Sequence, residues 1–355
     1  MRKEAFVLTL GVVLISIVAG LGVVINAQRR AADRSVRPDK PAQIQAGEYR
    51  LSGPFTHNNL SIFLVHGKNM FPEGKIFLTL QEAMVQKKVV VYETKSVNEL
   101  SIQNLGNEDV YVQAGDIVKG GQQDRMIGVD LIVPRKSGKL PIAAFCVEHG
   151  RWSGRGNEQA TVFSGSSDVV ATKEIKLAAK RSNSQGGVWE SVTVAQDKLS
   201  QNIGARVNSP VSASSLQLAV ENSKVRESAD SYVKALSNIV NSRSDVIGYV
   251  FAINGKVNSA DVYGSNALFK KLWPKLLKAN AIEAIAELQK DKFDPPKPEQ
   301  ARTFLSEGEK AQASEKEVSS RVGLVTAEDD KNIFFETRDR ANKDAWIHRN
   351  YIKKN

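Results

Sequence analysis

Cysteine and histidine are both scarce in this sequence of 355 residues. The single cysteine, Cys146, makes an intramolecular disulfide impossible. The four histidines, His57, His66, His149 and His348, stand far apart along the chain. Because no cysteine and histidine have the spacing of a metal-ligand set, we expect no zinc site and assign no metal ligands.

The common phosphate-binding and nucleic-acid-binding motifs are also absent. The sequence contains no GxxxxGK[ST] loop and no GxGxxG between a predicted strand and a predicted helix. Lys270, Lys271, Lys275 and Lys278 surround Trp273 in a pattern typical of a solvated helix face. A nucleic-acid partner is therefore not expected.

The composition is that of a globular protein with a basic balance. Hydrophobic residues make up 41% of the chain, and 49 Lys and Arg outnumber 39 Asp and Glu to give a formal charge of +10. Such a balance favours anionic partners, of which a phosphorylated small molecule is the one we expect. The sequence assigns no cofactor.

An apolar run at residues 5–27 follows Arg2 and Lys3. A spanning helix needs about 20 residues, and a secretory core runs about 7–15. Residues 1–27 are therefore predicted as a signal peptide or an N-terminal membrane anchor, with membrane contact if the segment stays uncleaved. The arginines after the run would favour a cytoplasmic domain. The short basic start instead favours export, to the periplasm or to the outer face of a membrane. Residues 28–47 are predicted as a linker.

Period-two patterns dominate residues 51–152 and predict a β-rich half. Strands are predicted at 60–65, 89–93, 100–104, 110–114, 126–133 and 140–147. One helix is predicted at 78–87, with Thr79 as its N-cap.

The pattern becomes helical after Trp152. Residues 153–167 are predicted as a loop, and helices are predicted at 168–180, 188–200, 216–240 and 265–288, with Pro274 breaking or restarting the last. Asn254-Gly255 predicts a hairpin between strands 246–253 and 256–263. Strands at 321–327, 332–338 and 346–352 end the chain. The prediction is one α+β domain over 48–355, β-rich at 51–152, helix-rich with a hairpin at 153–290, and with strands at 318–355.

Two predicted strands place Arg125 and Glu148 together. Arg125 shares a face with Ile127 at the start of strand 126–133, and Glu148 shares a face with Cys146 at the end of strand 140–147. The turn sequence RKSGK makes these strands hairpin partners. We therefore predict that Arg125 and Glu148 are neighbours, partly buried and paired.

A functional hypothesis extends this pair to a ligand-binding site. An arginine fork suits phosphate or carboxylate, and glutamine amides suit a base or a sugar. The predicted ligand-binding residues are Gln122, Gln123, Arg125, Arg151 and Asp116. In the structural alternative, the Arg–Glu pair only supports the fold.

Glu148 is the candidate catalytic residue, a general acid or base if burial raises its pKa. Cys146 lies in an apolar strand, where cysteines are usually inert. Asp261 and Glu336 are interpreted as solvated residues at strand edges.

Several segments occur in an order that resembles a known family: GDIVKGGQQDR, FCVEHGRW, GVWESV, YVFAINGKV and LFKKLWPKLL. From about Gly47 to the C-terminus, the chain resembles the ARG and rhodanese-phosphatase-superfamily-associated protein domain family, where ARG means ADP-ribosylglycohydrolase. Family members have Gly-Ala-Lys-Gln-Asn-Arg at 120–125, so Gln123 and Arg125 match and Gln122 replaces a lysine. Cys146, Glu148, Arg151 and Trp152 also match. The resemblance implies one α+β domain and no established activity.

Three functions remain open from the sequence. The leading one is an envelope-associated domain that binds a nucleotide- or ADP-ribose-like anion at the residues above. The second is a hydrolase of such a ligand, with Glu148 as acid and base. The third is a non-catalytic scaffold or protein-interaction domain. A pocket holding an unpaired Glu148 would favour the enzyme, and a closed ion pair without a cavity would favour the scaffold.

Overall fold

The computed structural model describes residues 40–72, 74–75, 77–180, 183–343 and 345–354. The predicted signal or anchor segment and residues 28–39 of the predicted linker lie outside this part of the chain. From residue 42 onward the chain forms one compact unit. No helix among the described residues has both the length and the apolar character needed to cross a bilayer.

Strands form most of the framework, and the α+β prediction is confirmed. In chain order they are β1 (Lys40–Ala42), β2 (Arg50–His57), β3 (Leu60–His66), β4 (Leu78–Thr79), β5 (Val89–Ser96), β6 (Glu99–Asn104), β7 (Val110–Val112), β8 (Asp116–Gly120), β9 (Arg125–Ile127), β10 (Leu131–Val133), β11 (Leu140–Cys146), β12 (Phe163–Val170), β13 (Val246–Ile253), β14 (Lys256–Tyr263), β15 (Ala313–Glu317), β16 (Val322–Glu328), β17 (Asn332–Asp339) and β18 (Ala345–Lys353).

Helices occupy mainly the middle of the chain. They are α1 (Leu80–Val85), α2 (Lys173–Lys180), α3 (Gln185–Ile203), α4 (Leu216–Val220), α5 (Ser223–Leu236), α6 (Asn266–Ala286) and α7 (Pro298–Gly308), with 3-10 turns at Ser237–Val240 and Arg340–Asn342.

Three sheets organise the strands. The largest runs in the spatial order β15-β16-β17-β18-β14-β13-β3-β2, with antiparallel neighbours. A six-stranded sheet has the order β12-β8-β9-β11-β6-β5. A small sheet has the order β10-β7-β4, and its β4 and β7 are parallel. The C-terminal strands therefore join the same sheet as the hairpin β13–β14.

Local signals in the sequence explain several of these elements. Thr79 caps α1 through a capping box, since its Oγ1 accepts from the Glu82 N–H at 3.2 Å and Glu82 accepts from the Thr79 N–H at 2.9 Å. Asn254 and Gly255 have φ values of 50° and 74°, which give a type I′ turn between β13 and β14. Both predictions are confirmed.

Pro274 lies inside α6 without breaking it, so that part of the helix prediction is wrong. The residues on both sides of the proline are buried, and Trp273 packs edge-on against Tyr249 of β13 with ring centroids 5.5 Å apart. Packing on the sheet therefore holds the helix together despite the lost backbone hydrogen bond.

Other boundaries differ from the predictions. The strand expected at 126–133 is two strands in different sheets, β9 and β10. The last contact with β11 is the hydrogen bond from the Gly128 N–H to Ala143 O at 2.8 Å. After it the chain leaves β11, and β10 pairs with β7. The loop expected at 153–167 already contains the start of β12 at Phe163, and the helix expected at 216–240 is α4 and α5. No pattern in the sequence predicted the following elements: β1, which lies in the predicted linker, β2, β4, β8, β12, β15 and α7.

Gly255 in the β13–β14 turn gives a test of how closely this turn packs against Asp294. A Cβ on Gly255 would lie 2.5 Å from the backbone oxygen of Asp294, whereas a Cβ on Gly204 would meet nothing within 4 Å. The two glycines have similar φ values, 74° and 70°. We expect Gly204→Ala to lower the free energy of unfolding by about 1 kcal/mol and Gly255→Ala by about 2–4 kcal/mol, because the contact adds to the strain. Urea unfolding measures both, and equal losses would contradict the packing around the turn.

Candidate functional site

The GGQQDR loop, residues 120–125, connects β8 to β9. Gly121 has a φ of 59°, and a Cβ there would lie 2.7 Å from the ring of Phe163. The Gly120 N–H donates to Asp124 Oδ1 at 2.9 Å and closes the turn. The glycine therefore lets the backbone approach a core side chain, which is a structural requirement.

Arg125 is fully buried, and Cys146 of β11 is its register partner. β9 and β11 are antiparallel neighbours, but they are not the predicted hairpin, because β10 lies between them in the chain and pairs with β7. The predicted pairing of Arg125 with Glu148 is also wrong. The Arg125 guanidinium donates to the carbonyls of Ser96 and Val97 at 3.0 and 2.8 Å and contacts Glu93 Oε1 at 3.3 Å. The turn after β5 offers these acceptors together, whereas Glu148 lies past the end of β11.

Glu148 has a different cationic partner, Arg151. The Arg151 Nε and Nη2 donate to the two Glu148 oxygens at 2.8 and 2.7 Å, and the Asp124 N–H donates to Glu148 at 3.1 Å. Burial alone would raise the pKa of Glu148, but the hydrogen bonds, led by that from Arg151, lower it below its ordinary value. A carboxylate held in this way is poorly suited to act as a general acid.

Asp124 completes a closed ionic cluster, defined here as Asp124, Glu148, Arg151 and Arg155. Arg155 donates to both Asp124 oxygens, at 3.0 and 3.2 Å, and Arg151 donates to Gly121 O at 3.2 Å. Burial raises the pKa of Asp124 even though Arg155 opposes this shift. Each charged group of the cluster thus has an opposite charge within hydrogen-bonding distance.

The remaining predicted site residues do not converge. Gln122 is half-buried, and its N–H approaches Glu93 at 3.4 Å. Gln123 is fully buried, and its Oε1 and Nε2 have no hydrogen-bond partner among the described residues. Asp116 lies at the opposite end of β8, where it pairs with Lys275 of α6 and accepts from the Gln113 N–H at 3.0 Å. The structure therefore places Asp116 outside the predicted site.

Lys275 and two predicted edge acids also differ from the sequence interpretation. Lys275 is buried, so the lysines of α6 do not form one solvated face. Asp261 and Glu336 are each 1% exposed instead of lying at solvated edges. Glu336 pairs with Arg349 at 2.6 Å. Both carboxylates are therefore compensated by cationic or imidazole partners on β18 instead of by solvent.

A large groove lies elsewhere, and no pattern in the sequence predicted it. It has a volume of about 980 Å³. Its walls come from the starts of α2 and β14, one side of α3, the end of α6, and α7. These elements are far apart in the sequence, so no local motif marks the groove.

Glu283 of α6 forms part of the groove wall and is 8% exposed. Its carboxylate accepts from the Lys173 N–H at the start of α2 at 3.1 Å and from Asn258 Nδ2 at 3.0 Å. Asn258 is the extra residue of a bulge in β14, since Val257 and Ser259 pair with the adjacent residues Ala252 and Phe251. Burial raises the pKa of Glu283 despite these hydrogen bonds.

A buried polar network connects β13, β14 and β18 to the segment between β9 and β10. His348 of β18 contacts Asp130 at 2.7 Å and Asp261 at 3.0 Å, and Tyr249 donates to Asp261 at 3.0 Å. Burial would lower the pKa of His348, but the two carboxylates, led by Asp130, raise it. The pKa of Asp261 falls to about 2, because Lys176 and His348 outweigh its burial.

No set of three or more His, Cys, Asp or Glu side chains in the described part of the chain is arranged to hold a metal ion. His348 instead lies between two carboxylates as a hydrogen-bonding group, and it stacks on Tyr263 with ring centroids 4.6 Å apart. The contact of His348 with Asp261 connects β18 to β14, and both strands contribute residues to the groove wall.

The buried Arg125–Glu93 pair gives a test of whether the GGQQDR loop is structural. We expect Arg125→Met to lower the free energy of unfolding by about 3–5 kcal/mol, because it leaves Glu93 buried without a cation. Adding Glu93→Gln should restore part of this loss, since no unpaired charge then remains. Urea unfolding of the two single variants and the double variant measures the coupling. A small loss in Arg125→Met, with no coupling to Glu93, would contradict the structural role.

Comparison with known proteins gives a family for the chain. The model of the ARG and Rhodanese-Phosphatase-superfamily-associated Protein domain matches residues 48–352. No curated protein and no solved structure matches the chain. The match covers the β-rich half, the helical middle and the C-terminal strands, so the chain belongs to the ARG and Rhodanese-Phosphatase-superfamily-associated Protein domain family.

Proposed function

We propose that this domain binds a small phosphate-bearing molecule with free hydroxyl groups, such as a nucleotide or a sugar phosphate, in the groove. The observation that carries the proposal is a cavity of about 980 Å³ whose lining contains both lysines and glutamates. Cavities of about 300–1,000 Å³ hold small-molecule ligands. The site is thus moved from the GGQQDR loop, where the sequence analysis placed it.

The charges of the lining support this ligand class. Lys256 and Lys331 have no carboxylate within 4 Å among the described residues, and Glu299 and Glu307 have no cation within that distance in the same part of the chain. Free lysines suit a phosphate group, and free carboxylates accept hydrogen bonds from hydroxyls. A ligand with both kinds of group satisfies both signs of charge.

The contacts around Glu148 and Arg125 support a structural role for the residues that match the family, instead of the ligand-binding role predicted from the sequence. Arg151 and Arg155 are already occupied by Glu148 and Asp124, and the Arg125 fork is directed to Glu93 and two carbonyls. Binding a phosphate there would require breaking buried ion pairs, which is costly. We therefore assign these residues to support of the β8–β9–β11 region.

Thermal unfolding of the full-length protein with nucleotides, sugar phosphates and inorganic phosphate tests the proposal. A ligand at a hundred times its dissociation constant should stabilise the protein by about 2.7 kcal/mol. We expect this stabilisation to be lost or greatly reduced in Lys256→Ala/Lys331→Ala and retained in Lys224→Ala, since Lys224 is an exposed lysine outside the groove.

Two results would contradict the groove as the binding site. Stabilisation that survives the double lysine variant would place the ligand elsewhere. Absence of stabilisation by every compound would favour the scaffold or protein-interaction alternative.

A further inference from the structure

Glu283 differs from the other buried acids in its lack of a cationic partner. The other acids among the buried residues of the described chain each contact a cation or His348 within 4 Å: Asp116, Asp124, Asp130, Glu148, Asp261, Glu336 and Asp339. No lysine or arginine side-chain nitrogen within that part of the chain lies within 4 Å of the Glu283 carboxylate. Its two hydrogen-bond donors, a backbone N–H and an amide, are both neutral.

The position of Glu283 makes this difference relevant to chemistry. The residue forms part of the wall of the groove, a cavity of about 980 Å³, so its carboxyl group can meet a bound molecule. A buried carboxylate without a cation is costly, and holding a proton removes that cost. The lysines of α2 act on Glu283 only from a longer distance, and they do not offset the effect of burial on its pKa.

We propose that Glu283 is the acid–base group of the groove and exchanges a proton with an oxygen atom of the bound molecule. This inference rests on the groove being a binding site, and it gives Glu283 the role that the sequence analysis gave to Glu148. As an acid, the carboxyl group gives its proton to a ligand oxygen, whose bond to phosphorus or carbon breaks so that the oxygen leaves with the electron pair of that bond. As a base, the carboxylate takes the proton of water or of a ligand hydroxyl while the oxygen of that group forms a new bond to the same phosphorus or carbon atom. No electrons are transferred to or from the protein.

The surroundings of Glu283 would hold its carboxyl in place during such exchange. The Lys173 N–H and Asn258 Nδ2 each bond a different oxygen, Oε2 and Oε1. Asn258 Oδ1 is buried and has no hydrogen-bond partner among the described residues, so its amide is oriented by Glu283 alone. These donors fix the carboxyl without neutralising it as a cation would, which separates Glu283 from Glu148.

Labelling with dicyclohexylcarbodiimide tests the proposal without a known ligand. This hydrophobic reagent adds to protonated carboxyl groups, and peptide mass spectrometry of the labelled full-length protein locates the product. Near neutral pH we expect labelling of Glu283 at least about tenfold faster than of Glu148, because one pKa unit changes the protonated fraction about tenfold. Labelling should slow as the pH rises and should be absent in Glu283→Gln.

Two controls separate protonation from access. Glu287→Gln changes a half-buried carboxylate of the same groove, which pairs with Lys198, and should leave the labelling of Glu283 unchanged. A water-soluble carbodiimide with an amine should modify the exposed Glu299 at the rim and report that reagents reach the groove. If Glu299 reacts while Glu283 is labelled no faster than Glu148, the proposal is overturned.

The labelling experiment and the ligand-stabilisation experiment can fail independently of each other. Labelled Glu283 in a protein that none of the nucleotides or sugar phosphates stabilises would keep Glu283 as a protonated groove residue and overturn the ligand class. Ligand binding that depends on Lys256 and Lys331, together with unlabelled Glu283, would keep the binding site and overturn the acid–base role.

Discussion

The interior of this protein depends on the pairing of buried charges. A charge that leaves water needs a partner and hydrogen bonds, or it destabilises the fold. Here the partners come from distant parts of the chain: Lys275 of α6 meets Asp116 of β8, and His348 of β18 joins Asp130 and Asp261. These contacts connect the β-rich half to the hairpin and to the C-terminal strands, so the pairing of charge also fixes the tertiary arrangement.

The same constraint separates the two candidate sites. In the cluster of Asp124, Glu148, Arg151 and Arg155, every charge has an opposite partner, and two of the residues that match the family, Glu148 and Arg151, pair with each other. The groove wall contains Glu283, a buried carboxylate that only neutral groups bond. Incomplete pairing at a cavity is a physical reason to place chemistry there, because such a carboxyl can change its protonation state.

Sequence patterns predicted the parts of the fold that local chemistry determines. The capping box at Thr79 and the turn at Asn254 are local, and both are present in the structure. The partner of Arg125 could not be predicted, because Glu93 lies in a separate hairpin and strand parity only places Arg125 on a face. Glu283 stands in an ordinary helical run, and its role appears only when α2 and the β14 bulge meet α6.

The measurement that tests this account most directly is the titration of glutamate side chains by ¹³C NMR in selectively labelled protein. Glu283→Gln and Glu148→Gln assign the two signals. The account predicts that Glu283 titrates above its ordinary pKa of 4.5, because burial dominates there, and that Glu148 titrates below it, because Arg151 bonds its carboxylate. If Glu283 titrated at or below the ordinary value, its carboxyl would be charged and satisfied like the others, and the groove would lose its acid–base group.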